Sequence, residues 1–129
     1  EEILRVMYES LALKYRYFFE ILIKVSGVEV KTLHVLGSGS KNRLLNQLCS
    51  NAMQIPVVAG PAEATSIGNA TVQLMALGEI RNHEQARKII TDSAELEYFE
   101  PKQGGIWNEQ FEKYNEVIIG TMKTFHDMR

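Results

Sequence analysis

Two short apolar segments on either side of a helix constrain the fold of this chain more than any other feature. Residues 32–36 read TLHVL and residues 55–58 read IPVV, and a helical spacing of apolar residues fills 42–53 between them. Nearly continuous apolar runs of this length are typical of strands covered on both faces. A helix between two such strands indicates a parallel crossover. Because two parallel strands alone do not make a stable covered sheet, we expect further strands from outside this chain.

Helical periodicity also predicts the elements around this unit. Apolar residues recur at helical spacing in four more stretches: residues 2–25, 62–77, 82–90 and 106–126. Residues 91–105 look irregular, with Tyr98, Phe99 and Pro101 in an extended segment that the pair Gly104 and Gly105 breaks. The predicted class is α/β, with a few parallel strands flanked by several helices in one domain spanning residues 1–129.

Charge and composition exclude several kinds of partner. The formal net charge is -2, which gives no general attraction for nucleic acid or anionic lipid. No apolar stretch reaches the roughly 20 residues that a membrane span needs. A single cysteine allows no internal disulfide, so we expect a reduced, cytoplasmic protein. The sequence starts without methionine inside a predicted helix, and we therefore expect it to be a piece of a longer polypeptide.

Metal-ligating and aromatic residues favour structural roles. His34, His83, His126 and Cys49 are scattered without the spacing of a zinc site, so no metal site is predicted. Cys49 itself is expected to be a small buried apolar residue. The aromatic residues of the last helix, Trp107, Phe111 and Tyr114, share one side and are expected to pack in a core or domain contact.

The most informative polar segment follows the first predicted strand. Gly37, Ser38, Gly39 and Asn42 lie where a strand passes directly into a helix, and such a junction presents backbone N–H groups and the positive end of a helix dipole to an anion. The alternative is a plain structural turn, and the spacing alone supports both equally. A dinucleotide fingerprint is excluded because position 42 is Asn rather than Gly or Ala, and no P-loop sequence is present.

A resemblance favours the nucleotide interpretation. Residues 37–47 (GSGSKNRLLNQ) and 57–69 (VVAGPAEATSIGN), with 9–15 (ESLALKY) before them, resemble the C-terminal domain of the rhamnulokinase group within the FGGY carbohydrate kinases. The resemblance covers about two thirds of the chain and fades beyond Ile90. It implies an actin-like, ribonuclease-H-like ATPase domain, of which this chain would be the C-terminal part.

The same resemblance implies that this chain binds ATP and that catalysis depends on residues upstream of it. The glycine-rich turn would hold the adenosine and α-phosphate side of ATP through Gly37, Ser38, Gly39 and Asn42, with Mg²⁺ bound through the nucleotide. Ser38 replaces the middle one of three consecutive glycines that are typical of the family. The catalytic aspartate and most sugar contacts would lie upstream, and no Asp occurs before Asp92, so no catalytic residue is assigned to this chain.

Three functional hypotheses remain open from the sequence. The first is the ATP-binding portion of a kinase that phosphorylates a ketose, with L-rhamnulose implied by the resemblance. On this hypothesis the present chain is inactive without the rest of the kinase. The second is a non-catalytic actin-fold module that binds nucleotide or a partner. The third is an α/β scaffold whose glycine turn is only structural. Glu63, Thr65 and Asn69, near the start of the third helix, have structural explanations as helix-dipole, back-bonding and loop-anchoring residues.

Overall fold

A three-stranded mixed sheet organises the molecule. The computed structural model describes the backbone of residues 2–127 and the side chains of residues 2–118 and 120. Strand β1 (Leu33–Val35) pairs in parallel with β2 (Val57–Ala59), with Leu33 opposite Val57. Helix α2 (Arg43–Met53) connects them, as the predicted crossover requires. The remaining elements are α1 (Glu2–Ser26), α3 (Ala64–Ala76), α4 (His83–Ser93), β3 (Glu97–Phe99) and α5 (Gly104–Asp127).

The third strand corrects the expectation of a purely parallel arrangement. Part of the segment predicted to be irregular forms β3, which runs antiparallel to β2 and places Phe99 opposite Val57. Aromatic residues favour a pleated, half-buried strand, and Phe99 is 7% exposed. Ser50 of α2 reinforces this pairing, since its hydroxyl lies 2.9 Å from the carbonyl oxygen of Phe99. This chain therefore supplies a third strand itself. Gly104 and Gly105 begin α5 rather than break the chain before it.

The core lies between α1, α2, α5 and the sheet. It contains the residues Ala12, Leu13, Leu48, Cys49, Ala52, Val57, Ala59, Phe99, Trp107 and Phe111. The burial of Cys49, Trp107 and Phe111 confirms their predicted structural roles. Burial raises the pKa of the Cys49 thiol to about 11, so the thiol stays protonated at neutral pH. Leu44, an apolar residue at the start of α2, is instead 52% exposed.

The small residues of helix α3 would suit close packing against a sheet or helix, but they do not pack in this way among the described residues. None of the residues of α3 is buried, and a Cβ added to Gly68 would meet no atom within 4 Å. Asn69 accepts a hydrogen bond from Gln73 on the same helix at 3.2 Å and does not anchor a loop. Along the part of the chain that the structure describes, no helix has the length and apolar character to cross a membrane.

Candidate functional site

Two turns meet at the carboxyl edge of the parallel strands. The first, residues 37–42, is called the glycine turn here and contains a 3-10 helix at Gly37–Lys41. The second follows β2 at Gly60 and Pro61. The Gly37 N–H donates to the Pro61 carbonyl oxygen at 3.0 Å, and the Gly60 N–H donates to the Val35 carbonyl oxygen at 2.8 Å. The carboxyl edge of parallel strands is where ligands bind in open α/β sheets.

Hydrogen bonds within the glycine turn fix its shape. The Ser40 hydroxyl donates to the Gly37 carbonyl oxygen at 2.7 Å, and the Asn42 N–H donates to the Gly39 carbonyl oxygen at 3.1 Å. The Asn42 side-chain oxygen accepts from the Leu45 N–H at 3.1 Å, which makes Asn42 the N-cap of α2. The turn and the start of α2 are therefore one hydrogen-bonded unit.

The four predicted site residues lie together in this unit but differ in what they can offer a ligand. Gly37 has a φ of 75°, a conformation that favours glycine, and its N–H is already engaged by Pro61. Ser38 and Gly39 are exposed at the surface of the turn. Asn42 uses its side-chain oxygen to cap α2, so its amide nitrogen is the side-chain group that it can offer to a ligand. Residues 38, 39 and 41 are the exposed part of the turn.

Positive side chains flank the glycine turn. Lys41 lies 3.8 Å from Glu63, and Arg43 lies 3.0 Å from Glu97, with all four side chains substantially exposed. Such exposed pairs contribute little to stability and can exchange partners readily. With their glutamate partners counted, these side chains carry no net charge, so the positive end of the α2 dipole is the feature of this edge that favours a phosphate group.

An apolar cavity of about 450 Å³ adjoins the turn on the side of β1 and α1. Its lining includes Leu36, Gly39 and Leu45 near the turn and Phe18 and Leu22 on α1. Among the described strands, β1 pairs with β2 alone, so the cavity runs beside the open edge of β1. Apolar surface of this kind marks a contact with another protein segment or a ligand.

Two buried polar residues outside the four predicted site residues support the turn. Ser40 is 7% exposed and Asn46 is 2% exposed, and the Asn46 side-chain nitrogen donates to the Ser40 carbonyl oxygen at 2.9 Å. The sequence spacing of Asn46 and Cys49 could have indicated that Asn46 is buried, because a residue three positions from a buried residue lies on the same face of the helix. A polar residue on an apolar face needs a buried partner.

Metal ligands and a catalytic base were not predicted in this chain. Within the described residues, no group of three or more His, Cys, Asp or Glu side chains could hold a metal ion. His34 and His83 lie on β1 and at the start of α4, whereas the His126 side chain lies outside the described residues.

Comparison with known proteins identifies the family. Residues 1–77 match the C-terminal domain of the FGGY family of carbohydrate kinases. The chain is 42% identical over 117 residues to a rhamnulokinase of Bacteroides thetaiotaomicron, covering 91% of this chain and 24% of that relative. It is 43% identical over 100 residues to a rhamnulokinase of Klebsiella pneumoniae, covering 78% of this chain and 20% of that relative. The chain thus spans about a quarter or less of the length of these curated relatives. It belongs to the FGGY family of carbohydrate kinases, and the matched part is the C-terminal domain of that family.

Proposed function

We propose that this chain is the ATP-binding C-terminal portion of a longer carbohydrate kinase. That kinase transfers the γ-phosphoryl group of ATP to a hydroxyl of a ketose, with L-rhamnulose as the favoured substrate. The observation that carries the proposal is the meeting of residues 37–42 and 60–61 through the Gly37–Pro61 and Gly60–Val35 hydrogen bonds. Family membership supports the reaction class, and the similarity to two rhamnulokinases supports the sugar.

The glycine turn would hold the adenosine and α-phosphate side of ATP. In this proposal the exposed backbone of Ser38 and Gly39 approaches the nucleotide, and the Asn42 amide nitrogen donates to it while the Asn42 oxygen keeps its cap on α2. Lys41 and Arg43 lower the cost of bringing phosphate charge to this edge. The chain then contributes nucleotide position, which matters because in-line phosphoryl transfer depends on alignment of the reacting groups.

The described residues do not fit a Mg²⁺ site of their own. Mg²⁺ prefers carboxylate, phosphate and water oxygens, and among the described residues no group of three or more His, Cys, Asp or Glu side chains could hold a metal ion. A magnesium ion would therefore arrive with the phosphates of ATP and take its protein ligands from another part of the kinase.

The remainder of the polypeptide would complete the enzyme. We propose that it supplies the catalytic base and the sugar contacts, and that one of its strands covers the open edge of β1 and the adjoining apolar cavity. The expected setting is cytoplasmic, with ATP, ADP and the sugar as partners. This chain alone is expected to be inactive.

The test uses the complete polypeptide that carries this chain. We expect ATP-dependent phosphorylation of L-rhamnulose in preference to fuculose and xylulose, measured by ADP release. Amide signals of residues 37–42 should shift on ATP titration. Nucleotide binding without phosphorylation of any sugar would contradict the kinase hypothesis and favour a non-catalytic nucleotide-binding module. The absence of any shift at millimolar ATP would leave the turn with a structural role only.

A further inference from the structure

We propose that Asn46 is a positioning residue for the nucleotide, acting through the shape of the glycine turn. The inference rests on the proposed function, since it assigns to Asn46 the task of orienting the backbone that ATP would contact. Asn46 does not touch the ligand in this proposal. It lies on α2, four residues after the N-cap Asn42, and its backbone N–H donates to the Asn42 carbonyl oxygen at 3.0 Å.

The first argument is the burial of a polar side chain in a mainly apolar surrounding. Asn46 is 2% exposed and lines the apolar cavity together with Cys49 and Leu45. Burying an amide is unfavourable unless it is hydrogen-bonded. Its nitrogen has found a backbone partner, the Ser40 carbonyl oxygen, at 2.9 Å. An apolar residue of similar size would fill the same space but leave this buried carbonyl without its donor.

The second argument concerns the direction of the peptide groups. Because a peptide unit is planar and trans, its C=O and N–H point in opposite directions. The Ser40 carbonyl oxygen points toward the Asn46 side chain on α2, because it accepts the hydrogen bond from that side chain. The N–H of the same peptide unit, which belongs to Lys41, therefore points away from Asn46. The Ser40 hydroxyl does the same for the Gly37 carbonyl, directing the Ser38 N–H outward from that bond.

These two hydrogen bonds form a short chain from the core to the exposed backbone. Asn46 fixes Ser40, and Ser40 fixes Gly37, whose conformation begins the turn. Carbonyl oxygens repel phosphate and N–H groups attract it, so the orientation of these peptides decides whether the turn accepts an anion. Loss of the Asn46 donor should therefore weaken nucleotide binding beyond its effect on stability.

The test compares Asn46→Ala with Asn51→Ala in the complete polypeptide. Asn51 is a matched control: it lies on the same helix, is 8% exposed, and its side-chain oxygen accepts from Gln47 and from the Lys102 N–H at 2.9 Å each. Its partners belong to α2 and the segment before α5, away from the glycine turn. Both substitutions remove hydrogen bonds made by a buried side chain, so both should lower the melting temperature.

Only Asn46→Ala should weaken nucleotide binding. We expect the ATP dissociation constant and the KM for ATP to rise about tenfold, the equivalent of one well-formed hydrogen bond in the site. The KM for the sugar should stay unchanged. The ATP-induced rise in melting temperature should shrink in Asn46→Ala and persist in Asn51→Ala, since stabilisation by a ligand follows its affinity.

The outcomes separate this inference from the proposed function. Wild-type protein that shows no ATP-induced stabilisation overturns both. ATP binding in the wild type with equal ATP affinity in the two variants overturns the role of Asn46 alone. Should Asn46→Ala fail to fold, Ser40→Ala removes the next bond in the same chain with a smaller loss of packing. It should weaken ATP binding in the same direction, and unchanged affinity there would also contradict the inference.

Discussion

Single residues set the conformation of the candidate site. Gly37 stands at a φ of 75°, and its carbonyl oxygen and N–H are both engaged, by Ser40 and Pro61. Gly39 is different, because a Cβ built there would lie 3.6 Å from a Val35 methyl carbon, an ordinary contact. The two glycines that look equivalent in the sequence therefore carry different constraints.

Gly37→Ala should destabilise the protein by about 1–2 kcal/mol, the cost of placing an L side chain in the left-handed region. Gly39→Ala is the matched control and should change stability much less. The measurement is the free energy of unfolding from urea titration. Equal losses for the two variants would contradict the assignment of the strain to position 37.

At this scale the sequence predicted which residues cluster but not how each one is used. The glycine spacing and the preceding strand were sufficient to predict that residues 37–42 lie at a sheet edge. The engagement of the Gly37 N–H by Pro61 depends on a residue 24 positions away along the chain. The donor role of Asn46 depends on which face of α2 is buried, and that is a tertiary property.

Helix caps link the elements to the site. Asn42 caps α2 through the Leu45 N–H at 3.1 Å, and Asn82 caps α4 through the Gln85 N–H at 2.9 Å. Asn82 and Gln85 have the sequence spacing of a capping box, and the structure confirms the cap by Asn82. Only the first adjoins the candidate nucleotide site, so the pair offers a way to separate capping from ligand binding.

Asn42→Ser should leave the free energy of unfolding within about 0.5 kcal/mol of the wild type, since serine also caps helices well. It should nevertheless lower ATP affinity, because serine lacks the amide nitrogen that we assign to the nucleotide. Asn82→Ser makes the same exchange on α4 and should leave ATP affinity unchanged. Calorimetric titration with ATP gives both values, and an unaltered affinity in Asn42→Ser would limit Asn42 to its capping role.

The elements themselves were predictable where they were long or periodic. Helices α1 and α2 follow from apolar spacing, and the parallel pairing of β1 with β2 follows from the helix between them. Strand β3 spans only Glu97–Phe99, which is too short to show a period. Its pairing with β2 joins segments 40 or so residues apart, so local propensity carried no information about it.

Arg16 joins the first and last helices of the described structure. The Arg16 guanidinium lies 4.1 Å from the centre of the Phe111 ring and donates to the Asn108 side-chain oxygen at 2.8 Å. It also pairs with Glu20 at 2.8 Å, and its side chain is only 15% exposed. One arginine of α1 therefore joins three partners, two of them on α5.

Arg16→Met should destabilise the protein by about 1.5 kcal/mol, because the partly buried cation–π contact and the hydrogen bond to Asn108 are both lost. Arg5→Met is the control: Arg5 also pairs with a glutamate four residues on, at 2.8 Å, but its side chain is 75% exposed. We expect a change of about 0.3–0.5 kcal/mol there. Urea unfolding of the two variants distinguishes a contact between helices from an ordinary surface ion pair.

Gly60 shows how selection can preserve a residue for a reason unrelated to catalysis. A Cβ at this position would lie 2.5 Å from the Glu95 carbonyl oxygen, and the backbone has a φ of 117°. Any other residue would therefore disturb the approach of the segment that leads into β3. A descendant that had lost kinase activity would still be under pressure to keep this glycine as long as it kept the fold. The presence of Gly60 in a homologous sequence is thus explained by the packing of the sheet, and an inference of retained enzyme activity has to come from other positions.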